Sequence, residues 1–171
     1  FAHDVPDAVS DDAAALFEPL SVAIATARKA GITGGSRLLI AGAGPVGVLT
    51  AQVARAFGAT EIVVSDISAD RRANATRYGA TRVIDPADES VHDLDVDAFV
   101  DASGAPRAVQ DGMRAVRPAG RVVLVGMGGD EYPIPVSVIQ NRELWVTGVF
   151  RYADTWPTAL ELVRTARVEL D

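Results

Sequence analysis

The sequence predicts an α/β domain built on a doubly wound, six-stranded parallel sheet. Short apolar runs alternate with stretches of helical period along the whole chain. Between the first run and the first helical stretch lies a glycine-rich turn, GAGPVG at Gly42 to Gly47. The next apolar run ends in a carboxylate, Asp66, about 20 residues further on.

The elements follow in order. Asp11 or Asp12 is expected to cap a helix running to Lys29. Glu18-Pro19 should kink it, because proline lacks a backbone donor and disfavours helix in the residue before it. Gly31 to Gly35 ends that helix. Leu38 to Ala41 is an apolar run of buried-strand type, and Val46, Leu49, Val53 and Phe57 recur at helical spacing over Pro45 to Phe57. Glu61 to Ser65 is the second strand, Asp70 to Tyr78 a helix and Arg82 to Ile84 the third strand. Asp85 to Asp95 is polar and poorly periodic, so a short exposed helix or a loop is expected there.

The second half repeats the pattern. Its strands are Ala98 to Asp101, Arg121 to Val125 and Leu144 to Val149, separated by helices over Pro106 to Val116 and Val136 to Asn141. Last comes a helix within Asp154 to Arg167, capped by Thr155 or Asp154, with Trp156, Leu160 and Val163 on one face. Strands joined through helices in this way give a parallel sheet covered on both sides.

With 171 residues, 49% of them hydrophobic, the chain can bury one ordinary core. No stretch approaches the roughly 20 apolar residues of a membrane span, so no membrane partner is expected. The net charge of −7 and the lack of a basic run argue against nucleic acid as a partner. Cysteine is absent, which excludes disulfides, thiolate metal ligands and a cysteine nucleophile. That composition fits a reducing compartment, and a cytoplasmic location is expected.

The glycines carry the functional reading. Gly42 permits the tight turn, Gly44 lets the backbone approach a pyrophosphate, and Gly47 lets the helix pack close to the sheet. Unpaired N–H groups at the helix start would face the anion. The same spacing also suits an ordinary turn with no ligand. Asp66 is placed to accept from an adenosine ribose hydroxyl, which favours NAD. A 2′-phosphate about 4 Å away would cost a few kcal/mol at an effective dielectric near 20. Arg71 and Arg72 could instead hold such a phosphate, Arg71 being the one expected along the adenosine. Asp66 could also serve as the N-cap of the helix that follows.

Ligands on an open parallel sheet lie beyond the carboxyl ends of its strands. Ser103-Gly104, Val125-Gly126-Met127 and Val149-Phe150-Arg151 are therefore further candidates, although each also reads as plain turn chemistry. Glu18 lies in the apolar stretch Ala13 to Leu20, where a carboxylate wants a partner, or it is a solvated helix residue. His92 lies among acidic residues in the polar crossover and reads as a surface residue. His3 is near a terminus, and neither histidine has the spacing of a zinc ligand pair.

Taken together, EPLSVA at Glu18 to Ala23, GAGPVG, VSDIS at Val64 to Ser68, DASG at Asp101 to Gly104, RPAGRVVLVGMGG at Arg117 to Gly129 and VFRYADTWPTALELV at Val149 to Val163 resemble the zinc-dependent medium-chain alcohol dehydrogenases. Within that family the likeness is closest to sorbitol and xylitol dehydrogenases, and the last motif is the specific one. The resemblance covers essentially the whole chain.

It implies a two-domain enzyme in which a GroES-like catalytic domain, missing from this chain, holds zinc, while a Rossmann domain supplies NAD. Residues 1–30 would then be a helical connection, 31–153 the NAD-binding domain and 154–171 a helix leading back. By the same resemblance Glu18 reaches the catalytic zinc or its water, and Arg151 with Tyr152 contacts substrate hydroxyls. Gly42, Gly44, Val46, Gly47, Asp66, Arg71, Val125, Gly126, Met127, Val149, Phe150 and Arg151 match NAD-contacting positions. The region Asp85 to Asp95 is shorter than in relatives, which touches only the flank of the sheet. The implied reaction is oxidation of a polyol or other secondary alcohol to a ketone, with no catalytic residue and no turnover expected in this chain alone. Pairing of the last strand's edge would make a homodimer or homotetramer. Butanediol or L-threonine dehydrogenases, a zinc-free quinone or enoyl reductase linked to NADP, and a non-catalytic dinucleotide sensor are the alternative readings.

Overall fold

In the computed structural model, which describes Val5 and residues 9–170, the sheet has six strands in the order β3-β2-β1-β4-β5-β6, all parallel. The strands are β1 Arg37–Ala41, β2 Glu61–Ser65, β3 Arg82–Ile84, β4 Val96–Asp101, β5 Val116–Leu124 and β6 Trp145–Gly148. The helices are α1 Asp11–Ala15, α2 Phe17–Lys29, α3 Pro45–Ala56, α4 Ala69–Arg77, α5 Pro106–Arg114, α6 Val136–Arg142 and α7 Trp156–Arg164. The order reverses between β1 and β4, the switch point beside which open parallel sheets take ligands at the carboxyl ends of their strands.

Strand period and burial agree. Leu38 and Ile40 of β1, Ile62 and Val64 of β2, and Ala98 and Val100 of β4 enter one apolar cluster together with buried residues of α2, α3, α4 and α7. Their neighbours Leu39, Val63 and Phe99 enter the opposite cluster with Val109 and Met113 of α5. Both faces are covered, which is why the strands read as continuous apolar runs rather than alternating ones.

The first helical stretch departs from expectation. The break falls at Leu16 rather than at Glu18-Pro19, and Pro19 lies in the first turn of α2. A proline there loses nothing, since first-turn N–H groups have no intrahelical partner, while the chain stops before the clash with the carbonyl four residues back. The cap of α1 is Ser10, whose hydroxyl accepts from the Ala13 amide at 3.1 Å; Asp11 and Asp12 lie in the first turn. Thr155 is the residue before α7, but its side chain makes no capping bond.

Strand β5 begins earlier than Arg121. Its pairing with β4 shifts between Val96 and Ala98, and Ala119 takes a positive φ of 57°. Pro118 and Gly120 thus mark an irregularity inside a strand rather than a turn before one. The crossover over residues 85–95 is a loop, anchored by the buried side chains of Val91 and Leu94. No described helix is long and apolar enough to cross a membrane.

Candidate functional site

Each candidate segment continues the ladder just past a strand. The Gly42 amide donates to the Ser65 carbonyl at 2.7 Å and the Ala102 amide to Ala41 at 2.8 Å. The amides of Val125 and Gly126 both donate to the Asp101 carbonyl at 2.9 and 2.8 Å, and that of Val149 donates to Leu124 at 2.9 Å. These bonds bring the glycine turn, Asp66, the 101–104 loop and the segments at 125–127 and 149–151 to one edge of the sheet.

The glycine turn is shaped by close approach. Gly42 has φ +97°, and a Cβ on it would lie 2.9 Å from the Ala102 carbonyl carbon. A Cβ on Gly47 would lie 1.9 Å from the Gly42 carbonyl oxygen, so α3 can start this close to the turn only with glycine there. Gly44 differs: a Cβ on it would meet nothing within 4 Å. It is the N-cap of α3 with no side chain capping the helix, and Pro45 occupies the first turn. Open space therefore stands before uncapped amides, the arrangement that accepts an anionic group. Val46, half-buried, is in that turn.

Asp66 is buried, and its carboxylate faces the turn. Oδ2 accepts from the Ala43 amide at 2.8 Å and Oδ1 from the Ser68 amide at 2.8 Å. A carboxylate has about four lone-pair positions, so acceptor capacity remains for ribose hydroxyls. The N-cap of α4 is Ser68, which accepts from Arg71 at 3.4 Å, so Asp66 is not that cap. The two arginines part company. Arg72 is fixed, donating to the Asp66 carbonyl at 2.7 Å and pairing with Asp85 at 2.8 Å. Arg71 is 64% exposed and stands 4.0 Å from Asp66 Oδ2.

Sequence reasoning missed Asp101. Its fully buried carboxylate accepts from the Ser103 amide at 3.0 Å, the Ser103 hydroxyl at 2.7 Å and the Gly104 amide at 3.1 Å. These bonds fold residues 101–104 into the loop whose backbone Gly42 packs against. The signal was present, since DASG after an apolar run is an Asx-turn pattern. Nearby, burial and then the charge of Asp101 push the Tyr132 phenol above its ordinary value.

Exposed large apolar side chains gather at this same edge. Ile67 after β2 is 81% exposed, Met127 after β5 is 88% and Phe150 after β6 is 76%. Three such side chains at the mouth of one crevice mark a surface that apolar rings or another protein surface would cover. Val149 is buried in the core and Gly126 is half-buried.

The remaining candidates divide, with Arg151 and Tyr152 following the 149–151 segment and the others lying elsewhere. Glu18 is exposed in the first turn of α2 and makes no hydrogen bond or ion pair among the described residues. Arg151 lies over the Phe150 ring, its guanidinium carbon 5.3 Å from the centroid, and Tyr152 is half-buried. His92 pairs with Asp111 at 3.0 Å on the surface, as a surface residue would. His3 lies outside the described residues. Among the described residues no group of three or more His, Cys, Asp or Glu could hold a metal.

Residues 45–165 match the zinc-binding dehydrogenase family. The chain belongs to that family. The zinc-binding dehydrogenases it resembles include the sorbitol dehydrogenase of Macaca fascicularis, 37% identical over 99% of this chain and 50% of that protein. Among solved structures, a candidate zinc-binding dehydrogenase from Sinorhizobium meliloti 1021, bound to NADP, superposes with a TM-score of 0.92 at 30% identity, covering 99% of this chain and 53% of that one. The L-idonate 5-dehydrogenase of Escherichia coli superposes at 0.90 with 29% identity, over 96% and 49%. The chain thus spans about half the length of the relatives it matches, and the matched half is the doubly wound sheet.

Proposed function

We propose that this chain is the NAD-binding domain of a zinc-dependent polyol dehydrogenase, which oxidises a secondary alcohol to a ketone. The observation that carries the reading is the Asp66 carboxylate held against the Ala43 amide inside the glycine turn. It supports a site in which the α3 amides meet the pyrophosphate while Asp66 accepts from the ribose hydroxyls. A 2′-phosphate would put charge beside this buried carboxylate, and among the described residues exposed Arg71 is the one nearby cation not held elsewhere, so NAD is favoured over NADP.

When bound, NAD accepts the hydride. The chain's own residues bind and orient. Ile67 would cover the adenine side, and Met127 with Phe150 the nicotinamide side, excluding water from the transfer. Asp101 holds the 101–104 loop at that edge through its three donors, and the loop would form part of the wall against the bound cofactor. The described residues do not fit zinc by themselves, and its main ligands would come from a catalytic domain, with Glu18 reaching the zinc or its water. Glu18 would face that domain, and Arg151 with Tyr152 would meet substrate hydroxyls.

The domain limits 1–30, 31–153 and 154–171 follow the same reading. The two proposed connectors pack on each other: Arg28 donates to the Asp154 carbonyl at 3.1 Å and to Thr158 Oγ1 at 2.9 Å, and Phe17 stacks on Trp156 at 6.1 Å. Strand β6 is an exposed sheet edge, with Trp145 69% exposed, which supports a homodimer or homotetramer by edge pairing.

The test uses the polypeptide that carries both domains. Sorbitol, xylitol, butane-2,3-diol and L-threonine are offered with NAD or NADP, and product ketone is measured. Polyol oxidation with NAD supports the proposal. Tighter NADP than NAD, or robust turnover by the 171-residue chain with added zinc, would overturn it.

A further inference from the structure

Three arginines converge where the dinucleotide reading places nothing. Arg55 in the last turn of α3, Arg77 in the last turn of α4 and Arg167 beyond α7 line a cleft of about 330 Å³, with Glu169 its one acid among the described residues. Arg55 lies roughly 15 Å along the α3 axis from Pro45, at about 1.5 Å of rise per residue, so the cleft is at the far end of the helix from the glycine turn. Among the described residues none of the three guanidinium groups makes a hydrogen bond or an ion pair; Arg77 only lies over the Tyr78 ring, at 4.9 Å. In a chain of net charge −7, three such cations on one concavity are a local reversal of sign.

Two of them have an ordinary use, because a cation in the last turn offsets the helix dipole. That account does not reach Arg167, which is brought in by a separate device. The buried Gln52 side chain grips the backbone of Glu169 at both ends, Nε2 donating to its carbonyl at 3.0 Å and Oε1 accepting from its amide at 2.8 Å. A buried amide thereby fixes the tail in register and holds the third arginine on the cleft.

We propose that this cleft is an oxyanion site for a phosphate group, either free or carried by a small metabolite. The planar guanidinium matches phosphate oxygens two at a time, and three of them around one cavity can surround a dianion. The Arg77 guanidinium lies over the Tyr78 ring, and Glu169 sets a limit on how much negative charge the rim accepts. The site is independent of the proposed dinucleotide chemistry.

Thermal melting and calorimetry of the 171-residue chain test it at low ionic strength, since screening shortens to about 10 Å at 0.1 M. The probes are inorganic phosphate and glucose 6-phosphate, with chloride at equal ionic strength as the control. Gly44→Val fills the open space at the glycine turn, roughly 15 Å along α3 from the arginine cleft, and so leaves the cleft untouched. Arg55→Gln and Arg167→Gln change exposed side chains, and circular dichroism verifies that each variant is folded. The expected result is saturable binding of at least one probe, unchanged in Gly44→Val and weakened roughly tenfold by each arginine replacement. The tighter probe tells a free phosphate from a phosphorylated metabolite. Binding lost in Gly44→Val but kept in both arginine variants, or no binding beyond the chloride control, overturns the proposal.

Discussion

Gly44 and Gly47 stand three residues apart in one motif, yet their geometry predicts opposite behaviour on adding a methyl group. In Gly47→Ala the new carbon sits 1.9 Å from the Gly42 carbonyl oxygen, and that gap must open to the 3.4 Å of ordinary contact. Gly47 is buried inside α3, so alanine gains about 1 kcal/mol of helix propensity. Overpacking of this severity costs about 3 kcal/mol, at the top of the usual range, because backbone and not a flexible side chain is struck. The net loss is about 2 kcal/mol, a fall in Tm of roughly 4–8 °C for a domain of this size. In Gly44→Ala the carbon meets nothing and φ is −73°, so the roughly 0.4–1 kcal/mol gained from the unfolded chain is offset by the poorer N-cap that alanine makes, and Tm should hold. NAD affinity should nevertheless fall at least tenfold, since the methyl occupies the space assigned to the pyrophosphate. Calorimetric NAD titration of the two-domain polypeptide, with melting curves of both variants, checks this. A Gly44→Ala protein that binds NAD as the parent does would refute the placement of the phosphates.

Two further outcomes follow from charged groups. Asp101→Asn leaves one acceptor oxygen where the buried carboxylate serves three donors, so a loss of about 2–3 kcal/mol and a lower Tm are expected; melting equal to the parent's would contradict the role given to that loop. Burial raises the Asp97 pKa, but the Arg37 amide at 2.7 Å and the Arg117 guanidinium outweigh it and hold the group below its ordinary 3.8. Its contribution is therefore complete above about pH 4 and disappears as pH falls through the lower, folded value. Tm should drop more steeply with acid in the parent than in Asp97→Asn, and parallel curves below pH 4 would refute the linkage.

The architecture was legible because period and punctuation coincide. Runs such as Leu38 to Ala41 and Glu61 to Ser65 can only be strands buried on both faces, and Gly42 followed by Pro45 marks a turn entering a helix. Where two local rules compete, the reading slipped. Pro19 was assigned the kink that falls at Leu16, because a proline in a first turn and a proline in a helix interior look alike until the start of the helix is known. The strand expected from Arg121 begins at Val116, because pairing with β4 absorbs Pro118 and Gly120 as an irregularity opposite Asp97. Tertiary proximity was the third gap. Nothing local says that Arg55, Arg77 and Arg167 share a cleft, or that the Asp66 carboxylate reaches back to Ala43.

The site residues also divide by what holds them. Asp66 and Asp101 are both buried carboxylates one residue past or at the end of a strand, and both spend acceptor capacity on backbone amides of a following turn. Each fixes one bank of the crevice, the first beside β2 and the second beside β4, with β1 and its glycine turn between them. Gly42 joins the two banks, since its amide donates to Ser65 while its α-carbon abuts the 102–103 backbone. A substituent at Gly42 would therefore disturb both halves together, whereas changes at Asp66 or Asp101 should stay on their own side. The edge is consequently held by bonds within the chain itself, with the uncapped start of α3 open and the apolar side chains Ile67, Met127 and Phe150 exposed along it. Such preorganisation places the cost of ordering in the folding of the domain, and leaves the apolar rim as the part whose covering can still add to affinity.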